Sequence, residues 1–367
     1  MSNEDGPTVV IDNGHLRLHK GRHCRPRFPK SRVPLRYAQP KTVIDHITLA
    51  SIVRAVSSNA DQDNSRFIVG DDVLEAQGGN VAASHPINGD EWDMERMTAL
   101  WKYSLEKLNV DPEGAKVMLT EPPLNPEENQ RAAYEALYDL GVSAVSIQLA
   151  PVLALYANGR TTGLVVDSGE STSVVPVEEG FAKRANIRKS PTGGRVVTKR
   201  LQELLASKSN PNLDVYMVEY IKRACCAVAD FPWQFNTQGP KTFRLPDGNE
   251  ITLDEEVLRT PEMLFQGGSN ESIQDLVAKS LEDLPDTLRQ AMQDSVILAG
   301  GNTLFNGCYN RFGFEISELL PQGTIRVYAQ NQRQYSAWTG GSILTSLSSF
   351  NAWVTKEDYF DQGDSKT

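Results

Sequence analysis

Three short apolar runs in this chain stop directly at glycine-bearing turns: Val9-Val10-Ile11 at Asp12-Asn13-Gly14, the run through Val166 at Asp167-Ser168-Gly169, and Val296-Ile297-Leu298 at Gly300-Gly301-Asn302. A run that short reads as a buried strand, and glycine lets the turn backbone approach a ligand closely. N–H groups presented in such a turn suit phosphate oxygens. The first and second turns both open with an aspartate, a repetition that implies two similar halves.

His15, His19 and His23, with Cys24 beside them, could share one strand face and offer nitrogens to a metal. Arginines on every side disfavour a cation there, and structural zinc sites usually bring two paired ligand clusters. The four cysteines, Cys24, Cys225, Cys226 and Cys308, show no CxxC spacing, so neither a disulfide framework nor a zinc ribbon is expected. Cys225 and Cys226 read as small hydrophobes in a helical stretch.

The elements that must position these residues alternate in type. Strands are expected at Phe67-Ile68-Val69, Val117 to Thr120, Val142 to Ile147 and Gly163 to Asp167. Helices are expected from Lys41 to Ala60, followed by a polar loop to Ser65, and from Trp92 to Leu108, whose stripe of Trp92, Met94, Met97, Leu100, Trp101, Leu105 and Leu108 reads as core. Further helices are expected from Asn125, as cap, to Leu140, over Gly194 to Ala206 and Val215 to Ala229, near Pro261, Ile273 and Pro285, and from Gly340-Gly341 to Leu347. Phe243 to Leu253 reads as a hairpin with a Pro-Asp-Gly turn, and the tail after Gln362 reads as disordered. Strands alternating with helices mean a layered α/β fold.

With 367 residues, 40% hydrophobic and 23% charged, the chain is long enough for about two packed domains. No run approaches the roughly 20 apolar residues that span a bilayer, and MSNEDGPTVV has no signal-like core, so no membrane partner and a cytosolic or nuclear place are expected. A net charge of −10 argues against direct nucleic-acid binding. Against that average, eight Lys/Arg and no acid lie between Arg17 and Arg36. Two readings stand: a contact for an acidic partner such as a tubulin or actin filament or a phosphate, or a solvated loop and edge strand guarded by its cations.

Four strings carry a resemblance. Leu119-Thr-Glu-Pro-Pro-Leu-Asn-Pro126 is similar to LLTEAPLNP; Leu155-Tyr-Ala-Asn-Gly-Arg-Thr-Thr-Gly163, running into Val166-Asp-Ser-Gly169, to LYASGRTTG and MDSG; Leu298-Ala-Gly-Gly-Asn-Thr303 to LSGGTT; and Tyr335 to Leu347 to YSVWIGGSILASL. In that order the strings resemble actin and the actin-related proteins. The resemblance implies the actin-like ATPase fold: two similar α/β domains around a nucleotide cleft, the first over about 1–159 with a small subdomain near 32–84, the second over 160–367 with residues from about 330 packing back on the first. It implies ATP or ADP with Mg²⁺ as cofactor. Asp12, Asn13, Gly14, Lys20, Asp167, Ser168 and Gly169 would flank the phosphates, with Asp12 and Asp167 holding Mg²⁺ through water. Gly300, Gly301 and Asn302 would lie against the nucleotide, Lys222 and Arg223 at the adenosine, and Gln148 at the attacking water.

This chain departs from the pattern where the chemistry is concentrated. DNGSG becomes Asp12-Asn13-Gly14-His15-Leu16, and Lys20 stands one place beyond the expected lysine. A residue forced to positive φ at Leu16 costs about 1–2 kcal/mol. DSGDGVTH becomes Asp167-Ser-Gly-Glu-Ser-Thr-Ser-Val174, one residue shorter and without the histidine, and Leu149-Ala150-Pro151 adds two residues after Gln148. Loss of a water-orienting group typically costs 10²–10⁴ in rate. The filament-contact loop gives way to Lys41 to Ser65, and the apolar plug after Gln266 to Gly267-Gly-Ser-Asn-Glu271. The expectation is a structural or scaffold subunit of a cytoskeletal assembly, on microtubules, in an axoneme or with dynein-type motors, binding ATP weakly or not at all. The alternatives are an active polymerising ATPase, whose phosphate release would rise with protein concentration, and a nuclear subunit of a chromatin-remodelling complex.

Overall fold

The computed structural model describes residues 6–13, 52–55, 67–69, 81–84, 86–207, 213, 215–232, 239–245, 248, 250–267, 270–320 and 325–363. It divides into two compact units, Met1–Ala150 together with Gly341–Thr367, and Pro151–Gly340.

The first unit contains β1 (Thr8–Ile11), β2 (Ile52–Ala55), β3 (Phe67–Val69), β4 (Val81–Ser84), β5 (Ile87–Asn88), β6 (Glu91–Trp92), β7 (Lys116–Glu121) and β8 (Ala144–Leu149), and from the C-terminal segment β17 (Val354–Thr355). Its main sheet runs β1-β7-β8-β17, the first three parallel and β17 antiparallel to β8. Parallel strands covered on both faces need continuous apolar runs, and Val9, Val10 and Ile11 are all buried. The helix Met94–Lys107 is capped by Asp93, which accepts from the Arg96 N–H at 3.1 Å. Met97, Leu100, Trp101 and Leu105 form its buried stripe against this sheet. Tyr134 of the helix Glu127–Asp139 stacks with Tyr359 of the helix Lys356–Gly363, Tyr138 meets the same ring at a tilt, and the Tyr138 hydroxyl donates to the Val354 carbonyl at 2.9 Å.

The second unit contains β9 (Gly163–Ser168), β10 (Thr172–Glu178), β11 (Phe181–Ala182), β12 (Arg188–Ser190), β13 (Lys241–Arg244), β14 (Glu250–Leu253), β15 (Val296–Ala299) and β16 (Val327–Tyr328). Its main sheet runs β11-β10-β9-β15-β16 with β12 on β10; β9 is parallel to β15 and antiparallel to β10. In both units, then, a strand leading to an aspartate lies parallel to a later strand, the repeat that the two turns imply. Leu164, Val166, Val197, Leu201, Val218, Ile221, Leu276, Leu298 and Phe312 meet in its core, and full burial of such a side chain is worth about 1.5–3 kcal/mol.

Four sequence expectations are corrected. Ile52–Ala55 is a strand paired antiparallel with β3 and β4, not part of a helix from Lys41 to Ala60; a short β-branched run carries the same apolar signal in either state. The rest of 41–65, and most of the expected small subdomain, lie outside the described residues. Asn125 is not a cap, because Pro126 occupies that position and the Asn125 amide donates to Glu121 Oε2 at 3.1 Å. The helix near Val215 ends at Cys225 instead of running to Ala229, where Ala227 bridges Asn306. Gly340 does not open a helix but sits inside Ser336–Thr345, where a Cβ would lie 1.8 Å from the Leu153 carbonyl oxygen.

Candidate functional site

The turns stand at the C-terminal ends of parallel strands, where open α/β sheets place their ligands. In the first unit, the register Ile11↔Leu119 sets Thr120 beside Asp12, and Thr120↔Gln148 sets Gln148 on its other side. The Thr120 hydroxyl donates to Asp12 Oδ1 at 2.7 Å and accepts the Asn13 N–H at 2.9 Å. Asn13 is buried: its amide donates to the Thr120 carbonyl at 3.0 Å, and its Oδ1 accepts the Trp101 indole N–H at 3.1 Å. Gly14, Lys20, His15, His19, His23, Cys24 and the basic segment Arg17 to Arg36 lie outside the described residues. Gln148 Nε2 donates to Ser146 Oγ at 3.1 Å. The two residues added after it are absorbed without a bulge, Leu149 closing β8 and Ala150 opening the helix Ala150–Ala157.

In the second unit, the register Ser168↔Thr172 leaves only Gly169, Glu170 and Ser171 in the turn. The Gly169 N–H donates to the Ser171 carbonyl at 3.0 Å, and the Gly169 carbonyl accepts from the Gly194 N–H at 2.8 Å and from Asn302 Nδ2 at 2.7 Å. Thr172 Oγ1 donates to the Thr192 carbonyl at 2.7 Å. A hydroxyl has one hydrogen. Of the pair Ser168 Oγ and Thr172 Oγ1, 2.9 Å apart, Ser168 is therefore the donor. Ser168 in turn accepts the other Asn302 amide hydrogen at 3.1 Å. Donation thus runs one way, from Asn302 through Ser168 and Thr172 to Thr192, among residues all buried. Glu170, the acid in this turn, lies 3.6 Å from the Arg195 guanidinium.

The third turn requires its first glycine. Gly300 has φ +85°, and a Cβ there would lie 2.3 Å from Asp167 Oδ1 and 2.4 Å from the Ser168 carbonyl oxygen. Gly301 faces open space. Arg333 braces this turn: its Nε donates to Thr303 Oγ1 at 2.8 Å, its Nη2 to the Thr303 carbonyl, and its own carbonyl accepts the Gly300 N–H at 3.3 Å.

Lys222 turns inward, donating to the Gly194 carbonyl at 2.9 Å and to Thr198 Oγ1 at 2.7 Å. Burial brings its ammonium down to about 8; Glu219 and Cys226 oppose that fall and Arg223 adds to it. Arg223 pairs with Glu219 at 3.1 Å. The structure therefore brings Asp167, Ser168, Gly169, Gly300, Asn302 and Lys222 into one network of the second unit, and Asp12, Asn13 and Gln148 to one sheet end of the first.

Sequence reasoning placed Trp101 in the core and Thr120 on a strand but missed their bonds to Asn13 and Asp12, and it missed Thr172 and Arg333, whose importance comes from strand register and tertiary contact. Asp12 directly follows β1 of the first unit and Asp167 lies near the end of β9 in the second, each a carboxylate at the mouth of its own sheet. Among the described residues no group of three or more His, Cys, Asp or Glu could ligate a metal directly, and no helix is long and apolar enough to cross a membrane. The family model described as Actin matches residues 3–366. A match of that extent over a mixed α/β chain built on these turns establishes the actin-like ATPase fold, and the chain belongs to the actin family.

Proposed function

We propose that this actin-family chain is a structural subunit of a cytoskeletal assembly in which ATP with Mg²⁺ is bound weakly or not at all and hydrolysis is poor. A Mg²⁺–nucleotide needs carboxylates toward the metal's waters and uncommitted donors toward phosphate oxygens. When bound, the metal would neutralise charge on the phosphates. Each unit offers one carboxylate of the first kind, Asp12 and Asp167. The second need is met less well in one place, and that observation carries the reading: in the Asp167-Ser168-Gly169 turn the Gly169 N–H, the Ser168 hydroxyl and both Asn302 amide hydrogens are spent on internal acceptors. Freeing any of them breaks a hydrogen bond of the network, at about 0.5–1.5 kcal/mol. Lys222, spent on Gly194 and Thr198, behaves likewise.

The partner side of the reading rests on the basic run Arg17 to Arg36 in a chain of net charge −10. A run of that sign suits the acidic surface of a tubulin or actin filament. The runner-up, an active polymerising ATPase, is supported by Asp12, Asp167 and the close fit of Gly300.

The test is to purify the chain without added nucleotide, denature it, and quantify ATP and ADP per mole before and after EDTA. Little or no nucleotide, or ATP retained unhydrolysed, is the expected result. Stoichiometric ADP, with phosphate release rising as protein concentration rises, would overturn the proposal in favour of the ATPase. Cosedimentation with preformed microtubules and with actin filaments, at low and raised salt, tests the partner.

A further inference from the structure

The chain of donors that runs from Asn302 through Ser168 and Thr172 does not stop at Thr192. Thr192 lies just beyond β12, which pairs with β10 at Thr172↔Ser190, and its N–H reaches back to Ser190 Oγ at 3.3 Å. On its other side, Thr192 Oγ1 accepts Asn270 Nδ2 at 3.2 Å. Asn270 is exposed and stands two residues before Ser272, the cap of the helix Ile273–Glu282. Its N–H donates to the Gly267 carbonyl at 2.9 Å. Gly267, at φ +67°, has no room for a Cβ, which would lie 2.5 Å from the Asn270 carbonyl oxygen. Consecutive hydrogen bonds therefore join the Gly300-Gly301-Asn302 turn to the entry of a helix. Every member between those ends is buried, and Asn270 alone is exposed.

Such a chain has two settings. Each hydroxyl owns one hydrogen, so turning one member obliges its neighbour to turn. In the observed setting the Asn302 amide donates to Ser168, and Thr172 supplies the Thr192 carbonyl. When the amide turns over, its Oδ1 replaces Nδ2 beside Ser168. The Ser168 hydrogen then goes to Asn302, the Thr172 hydrogen to Ser168, and the Thr192 carbonyl is left without it. A buried acceptor deprived of its donor is costly. The exposed member of the chain, Asn270, is where Thr192 can yield. A contiguous network with two discrete arrangements is what carries coupling between distant positions.

We propose that these hydroxyls form a two-position switch that couples the Asn302 turn to the Asn270 entry of the helix Ile273–Glu282. Turning the Asn302 amide loosens Asn270, and by linkage loosening Asn270 releases the Asn302 turn to the same degree. No bond in the switch involves a ligand, so it is present in the nucleotide-free chain and does not rest on the nucleotide reading given above.

The experiment follows amide hydrogen exchange by mass spectrometry in the full chain stripped of nucleotide with EDTA, with peptides of the first unit as internal reference. Asn302→Asp puts an oxygen in place of the donating amide. It is expected to speed exchange over 262–275 about 2- to 10-fold, the loss of one hydrogen bond, with the first unit unchanged. In a Thr172→Val background the same substitution is expected to add nothing there, and in Thr172→Ser, which keeps the hydroxyl, the effect returns. Asn270→Ala tests the opposite direction from an exposed position, and remains decisive if Asn302→Asp unfolds the second unit. It is expected to speed exchange over 296–305 when Thr172 is present and not when Thr172→Val accompanies it. Exchange at the far end unchanged by both Asn302→Asp and Asn270→Ala, or a far-end effect that survives Thr172→Val, overturns the switch.

Discussion

Gly300 and Gly301 are adjacent in sequence and opposite in what they require. A Cβ on Gly300 would have to adopt φ +85° and collide with Asp167 Oδ1 and the Ser168 carbonyl, whereas one on Gly301 would meet nothing within 4 Å. Positive φ costs about 1–2 kcal/mol and overpacking about 1–3 more. Gly300→Ala is therefore expected to lose about 2–5 kcal/mol in urea unfolding, while Gly301→Ala stays within about 0.5 kcal/mol. Equal effects would show that the turn is not held by Asp167. Thr172→Val is expected to cost about 1–3 kcal/mol, because it removes the acceptor of the Ser168 hydrogen and the donor to Thr192 while keeping the volume; a neutral result would break the directed hydroxyl chain. The residue types of these turns were legible in the sequence; which glycine is indispensable was not. That depends on the parallel register that sets Asp167 of β9 beside Ala299 of β15, a contact between residues far apart in the chain.

Elements were legible where hydrophobic pattern and length agreed, as in the stripe of Met94–Lys107 and the runs of β1, β9 and β15. They were not where a short run was compatible with both states, as at Ile52–Ala55, or where glycine served packing, as at Gly340 against Leu153. The helix Cys308–Leu319 went unread because its inward face includes a charge. Arg311, 1% exposed, donates to Glu262 Oε2 at 2.9 Å, to Glu315 at 2.6 Å and to the Ala229 carbonyl at 3.2 Å, and lies over Phe265 at 5.0 Å. One side chain so ties that helix to Met263–Gln266 and to the stretch after Cys225. Removing one partner of a buried pair strands the other's charge, at about 3–5 kcal/mol. Glu262→Gln and Arg311→Met should each destabilise by about that much, and the double variant by clearly less than their sum. Additive losses in a double-mutant cycle would mean the two are not coupled.

At the scale of the whole molecule, buried titratable groups set a pH profile for stability. Lys222 falls from 10.5 to about 8 on folding, so between those values the unfolded chain binds more protons and stability rises with pH, by at most about 1.4 kcal/mol per unit. Cys226 and Cys308 rise from 9.0 to about 12, each because of burial, so above pH 9 the unfolded chain binds fewer protons at both sites. Two losses then outweigh one gain; the Cys225 thiol, also raised by burial, adds to the fall above pH 9, and the raised phenols of Tyr134, Tyr138, Tyr156 and Tyr359 add to it above pH 10. Stability should therefore climb from pH 8 to a maximum near pH 9 and decline beyond it. Guanidinium titrations at half-unit steps from pH 7.5 to 10.5 measure this directly. Lys222→Met should abolish the climb while leaving the decline, because it removes the ammonium and keeps both thiols. A wild-type curve that falls steadily from pH 7.5 would mean that Lys222 is solvated, and with it would go the argument that its donors are committed inside the second unit.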